Sequence, residues 1–209
     1  MRVLASCDSK YFREHHKAFY VSALSCGYTP LIDIINPDRD LYDKYKDSED
    51  VRFTFSDKNN ATFYASNRFF IAREVLEKHR EGILVTDIDC FFNKKLETPE
   101  QDIGLFFRSD SRIYAKLAVG IVWYGYTEKS LSFASVAADF IQKEPERWFA
   151  DQIGVYKAYE SMQKELSVFR FTNLHMDWEF TKDSYMWTGK GPRKYKNSTY
   201  LDRKRTLEK

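Results

Sequence analysis

Cysteine is scarce and unpatterned in this sequence: Cys7, Cys26 and Cys90 form no CxxC pair and leave one over. That excludes a disulfide framework and a zinc knuckle, and it fits a reducing, cytoplasmic setting. Long apolar runs are missing too. None approaches the ~18 residues of a membrane span, and Met1-Arg2-Val3-Leu4 leads straight into a strand pattern, so neither a span nor a leader peptide is expected. No glycine-rich loop follows that first strand, and no repeat or linker divides the 209 residues, so one domain is expected. A net charge of +2 offers no general surface for polyanions, which argues against a nucleic-acid partner.

Aromatic residues, by contrast, are abundant, with 17 Phe and 14 Tyr. Phe serves a core, whereas so much Tyr also suits a polar cleft, because its ring is apolar and its tip hydrogen-bonds. Charge is unevenly spread. From Lys190 to Lys209 there are eight basic residues and two acids, so +6 sits in this stretch and −4 in the rest. Two readings follow: a solvated basic tail over 196–209 behind a domain of 1–195, or a basic flap over a phosphate-bearing ligand.

Strand patterns at 2–7, 29–35, 51–55, 83–87, 102–107, 116–124 and 167–171 alternate with helical patterns at 9–24, 59–80, 127–143 and 150–166. The segment 38–50 reads as a charged loop. Such alternation predicts an α/β, Rossmann-like domain whose mostly parallel central sheet has helices on both faces. In sheets of this kind ligands gather at the carboxyl ends of the strands.

Chemistry concentrates at Ile83-Leu84-Val85-Thr86-Asp87-Ile88-Asp89-Cys90-Phe91-Phe92. An apolar strand delivers two carboxylates at i and i+2, then turns apolar again. Carboxylates so close repel unless a cation lies between them. Oxygen ligands suit Mn²⁺ or Mg²⁺, which bridge to phosphate oxygens, so Asp87 and Asp89 are the expected metal ligands.

With this motif the chain resembles the GT-A class of nucleotide-sugar glycosyltransferases, in particular the compact family-8-like enzymes with a DxD motif. The resemblance spans about residues 2–195 in order. It implies Ala5, Ser6, Asp8 and Tyr11 around the base and ribose, Arg68 and Ile88 at the donor phosphates, and Ala118 and Gly120 where donor sugar and acceptor approach. Trp148-Phe149-Ala150-Asp151-Gln152 resembles the family's segment beside the transferring carbon, which makes Asp151 and Gln152 the catalytic expectation and places Trp148 at the sugar. Relatives end in His-x-x-Gly-x-x-Lys, whose His is a metal ligand. Here Gly191 and Lys194 fit, but Thr188 stands in the His position and His175 is the nearby substitute. Lys190 and Lys194 are the expected diphosphate clamp. The implied activity is hexose transfer, with retention favoured, from a UDP-sugar to a hydroxyl on an unspecified saccharide, lipid or protein. A DxD phosphatase is an alternative, although there the acids close the first strand of the domain. A non-catalytic nucleotide-sugar-binding module is another.

Overall fold

The computed structural model describes residues 1–110, 112–144, 147–181, 183–189 and 191–209. In chain order the elements are β1 (Arg2–Asp8), α1 (Ser9–Ser25), β2 (Thr29–Ile35), α2 (Arg39–Tyr45), β3 (Val51–Thr54), α3 (Ala61–Phe70), α4 (Ala72–His79) and β4 (Ile83–Thr86). After β5 (Cys90–Phe92) and β6 (Ile103–Phe107), a short 3-10 turn leads into β7 (Leu117–Tyr124), α5 (Glu128–Lys143) and α6 (Ala150–Met162). The chain finishes with β8 (Val168–Arg170), β9 (Met176–Asp177), β10 (Met186–Thr188) and α7 (Ser198–Glu208).

Seven strands form one sheet in the order β3-β2-β1-β4-β7-β6-β8. Every pairing in it is parallel except those made by β7, which runs against β4 and β6. Successive side chains on a strand face opposite sides, and the core divides accordingly. Leu4, Val85 and Leu105 pack with Phe69, Val75, Phe133 and Val155 from α3 to α6. Val3, Leu84 and Trp123 pack on the other face with Phe12 and Phe19 of α1 and with Phe92 and Met186. The last two belong to a second, three-stranded sheet in the order β5-β10-β9, which the sequence patterns do not reveal.

The strand order turns round at β1. β2 and β3 lie to one side of it, β4 and the later strands to the other. A crevice opens at such a reversal, beyond the carboxyl ends of the two strands. Asp8 closes β1 and Asp87 follows β4, so both stand at its mouth.

Local chemistry explains the element boundaries. Asp8 caps α1 by accepting from the Tyr11 amide (2.7 Å). Asn60 and Thr127 cap α3 and α5 in the same way. The long helix expected over 59–80 is two. Ile71 departs from helical values (φ −93°, ψ −8°), and Phe69 and Ile71 both enter the core while Asn67 and Arg68 turn toward the strand ends. The charged segment expected as a loop contains α2, whose Leu41 is buried.

The C-terminus differs most from expectation. Residues 196–209 are no loose tail, because α7 lays Tyr200 and Leu207 into an apolar cluster with Phe91, Phe180, Trp187 and Ala18. The Tyr200 ring stacks on Phe91 with centroids 4.5 Å apart, and its hydroxyl donates to the backbone carbonyl of Asp89 (2.9 Å). Charge counting missed this because the apolar residues of α7, Tyr200, Leu201 and Leu207, are few and stand in a strongly basic stretch. Tyr200→Ala is expected to cost about 3–5 kcal/mol, as for other buried aromatics cut to alanine. Tyr200→Phe, which leaves only the Asp89 carbonyl unbonded, is expected to cost about 1–3 kcal/mol. Denaturant unfolding of both variants checks this, and equal, near-zero effects would return α7 to a solvated tail.

Candidate active site

Asp87 and Asp89 leave β4 on the loop to β5, and each meets a cation supplied by a distant element. Arg68 of α3 points at the strand end and is 3% exposed. Its Nη1 lies 2.5 Å from Asp87 Oδ1, and its Nη2 lies 3.5 Å from Asp151 Oδ2 and donates to the Val119 carbonyl (3.3 Å). Arg68 therefore organises the acids rather than presenting a free guanidinium to a ligand. Burial opposes its charge, but Asp87 and Asp151 outweigh that and raise its pKa.

Lys194 is the second cation. It is 1% exposed and fully inside the molecule, its Nζ 2.5 Å from Asp89 Oδ2 and 2.7 Å from the Tyr11 hydroxyl. Burial pushes the Asp89 carboxyl up to about 6, with Lys194 pulling it back and Asp87 adding to the rise. Close approach of the chain is what permits the pair. A Cβ at Gly189 would stand 2.8 Å from Lys194 Cδ and 2.9 Å from Asp89 Oδ2, so any other residue would push the two apart.

Asp151 sits in the first turn of α6 and its Oδ1 accepts from the Gln152 amide (2.8 Å). Burial raises its pKa, against the pull of Arg68. Three carboxylates, Asp87, Asp89 and Asp151, thus share two cations, and the cluster is one positive charge short. The ion pairs engage one oxygen of Asp87 and one of Asp89, leaving a second oxygen on each. Thr188, where the resemblance implies a histidine, lies opposite Cys90 in the β10–β5 register and lines the same cavity. These features fit a hard divalent cation held by Asp87 and Asp89. Among the described residues there is no group of three His, Cys, Asp or Glu suited to one, so water and a ligand's phosphates would complete its sphere.

A cavity of about 680 Å³ runs past these acids. It is lined by most of the residues singled out from sequence: Ser6, Asp8, Tyr11, Arg68, Asp87, Ile88, Asp89, Ala118, Gly120, Trp148, Asp151 and Gln152. Trp148 is 63% exposed, which removes its reading as core. Ala5 is not brought to the cavity, because strand alternation turns it into the core, 0% exposed, while Ser6 faces the opening. His175 is not brought there either. Its ring stacks on Tyr185 beside Phe169 and Phe171, and its Nδ1 accepts from the Thr172 amide (3.0 Å). Lys190 lies outside the described residues.

The structure adds residues that the sequence reading passed over. Asp33, fully buried in β2, binds Ser6 Oγ, Thr54 Oγ1, Asn67 Nδ2 and Arg52 Nε, and so locks β1, β2, β3 and α3 together behind the site. An acid inside the apolar run TPLIDII was the available signal. Asn59, Tyr64, Arg108, Tyr114, Phe149 and Trp178 also line the cavity. Gln152 has a supporting role. Oriented to satisfy its neighbours, its amide nitrogen donates to the carbonyls of Tyr114 (3.0 Å) and Leu117 (2.7 Å), fastening the turn before β7 to α6.

Removing Arg68 would strand Asp87 and Asp151 without their shared partner. Arg68→Leu is expected to destabilise the protein by about 3–5 kcal/mol, and adding Asp151→Asn is expected to recover part of the loss. Denaturant unfolding of the two variants tests the cluster. A strictly additive double variant would contradict it.

No protein-family model and no curated protein matches this chain, but solved structures do. A glycosyltransferase involved in glycosylation of the major capsid of PBCV-1 superposes with a TM-score of 0.60 at 14% identity, covering 99% of this chain and 98% of that one. The galactosyltransferase LgtC, solved with donor and acceptor sugar analogs, gives 0.60 at 10% identity over 100% of this chain and 95% of its own. Apo GlyE from Streptococcus pneumoniae TIGR4 gives 0.59 at 11% identity over 97% of this chain and 59% of its own. At these identities the likeness is one of fold, and the chain has the GT-A fold found in these glycosyltransferases.

Proposed function

We propose that the chain is a metal-dependent glycosyltransferase that moves a hexose from a nucleoside-diphosphate sugar, a UDP-sugar in the first instance, to an acceptor hydroxyl in the cytoplasm. One observation carries the reading: two carboxylates at the carboxyl end of β4, beside the point where strand order reverses, open into a cavity large enough for such a donor.

In this reading Ser6, Asp8 and Tyr11, at the end of β1 and the start of α1, receive the nucleoside. Asp87 and Asp89 hold Mn²⁺ or Mg²⁺, which when bound neutralises charge on the diphosphate. Lys194 adds an ammonium beside them, paired with Asp89. As the bond from the sugar to the diphosphate weakens, charge grows on the leaving oxygens, and a pre-placed cation stabilises it without reorganisation. Asp151, held by Arg68, is the carboxylate available to the electron-poor sugar carbon. Gln152 positions the 113–117 turn that forms the wall beyond it. Retention of configuration remains the expectation from this pair. The phosphatase alternative is disfavoured by the placement of the acids on β4, the fourth strand in the chain rather than the first.

Alanine at either acid would leave Arg68 or Lys194 buried without its partner, so asparagine is the cleaner substitution. Asp87→Asn and Asp89→Asn are each expected to lower Mn²⁺-dependent release of nucleoside diphosphate by about 10²-fold or more, and to lower the melting temperature as well, because the buried cation keeps a hydrogen-bond acceptor but loses its counter-charge. Release assays across uridine, guanosine and cytidine diphospho-sugars measure this. Wild-type turnover in the Asp89→Asn protein, or turnover indifferent to metal, would remove the proposal.

A further inference from the structure

The far end of the cavity has a chemistry that the donor does not use. β7 lies between β4 and β6 in the sheet, so the end of β6 stands roughly 10 Å across from the acids, two strand spacings away. There Arg108 follows β6, half-buried in the cavity wall, with its guanidinium 5.9 Å from the Trp178 ring. Its backbone amide donates to the Lys116 carbonyl (2.8 Å), which fixes the base of the intervening loop. Arg112, on that loop, is matched by Asp110 through two hydrogen bonds (2.7 and 3.0 Å). Arg108 forms no direct ion pair among the described residues, although it stands near enough to Asp110 to help hold that carboxyl below its ordinary value, behind Arg112.

Opposite it stands an aromatic surface. Tyr114 and Phe149 stack nearly parallel, 5.2 Å apart at 9°, and Trp148 packs edgewise on Phe149 with most of its own face open. Phe149 holds a left-handed backbone (φ 69°, ψ 20°), a conformation costly for a bulky residue and found where surrounding structure enforces it. The strain keeps Trp148 and Phe149 on the cavity side at the start of α6. Tyr114 backs this surface, with Phe149 stacked on it and the Arg112 guanidinium over its ring (5.2 Å), so the open apolar face is that of Trp148. An open aromatic face sharing the cavity with a guanidinium that makes no direct ion pair among the described residues suits a ring with one apolar face and one anionic group.

We propose that the acceptor is an acidic saccharide, carrying a carboxylate or a phosphate monoester, whose anionic group is bound by Arg108 while its ring lies on the exposed face of Trp148 beside Phe149. This rests on the glycosyltransferase reading for the word acceptor, but not for the binding itself. On this arrangement the acidic group sits beyond the transferred sugar, and the attacking hydroxyl faces back toward Asp151.

Direct titration of the full chain with matched saccharides tests it: a uronic-acid disaccharide, its neutral hexose counterpart, and a sugar phosphate, each followed by protein-observed NMR. Wild type is expected to bind at least one acidic saccharide about tenfold or more tightly than the neutral one. The preference is expected to vanish in Arg108→Gln and to return in part in Arg108→Lys. The carboxylate and phosphate arms show which anion is taken. Equal affinities for acidic and neutral saccharides in wild type overturn the proposal, as does an acidic preference that survives Arg108→Gln. Titration of the same protein with uridine diphosphate reports separately on the donor site. Lost nucleotide binding with the acidic preference intact would sink the donor reading alone.

Discussion

The structure depends on a shortage of positive charge. Three carboxylates converge beyond the end of β4, beside the first half of the antiparallel β7, and two buried cations must serve all of them. Arg68 bridges Asp87 to Asp151 and so ties the end of β4 to the start of α6. Lys194 takes Asp89. Each carboxylate would be costly to bury unpaired, and the pairing fixes where α3, α6 and the C-terminal segment can lie. The same deficit makes the place receptive to one further cation, which a metal carried with a diphosphate would supply.

The C-terminal part of the chain is built round this requirement. The small β5-β10-β9 sheet carries the turn after Asp89 and brings Gly189 against it. α7 then closes the arrangement from outside, with Tyr200 wedged on Phe91 and bonded to the Asp89 carbonyl. A sequence of strongly basic composition thus ends in a packed helix, because Tyr200 and Leu207 have an apolar seat to fill.

Much of this was legible in the sequence where the signal is local. Apolar runs marked the central strands, helical patterning marked α1, α5 and α6, and the DxD spacing marked the acids at a strand end. What escaped depends on partners far away in the chain. Nothing near Asp89 announces Lys194 or Tyr200, which lie more than a hundred residues on. Ala5 and Ser6 are neighbours in sequence, yet strand alternation sends one to the core and the other to the cavity. His175 was the plausible third ligand by residue type alone, and its aromatic cage places it elsewhere. The short strands β5, β9 and β10 are two or three residues long, too short to show a period.

Mutual dependence of metal and nucleotide binding is the most direct consequence of the charge deficit, because linkage requires each to strengthen the other by the same factor. Isothermal calorimetry of uridine diphosphate with wild-type protein, with and without Mn²⁺, measures it. The account predicts that Mn²⁺ tightens nucleotide binding by about tenfold or more, and that Asp89→Asn abolishes the gain. Nucleotide affinity unchanged by Mn²⁺ in the wild-type protein would contradict it.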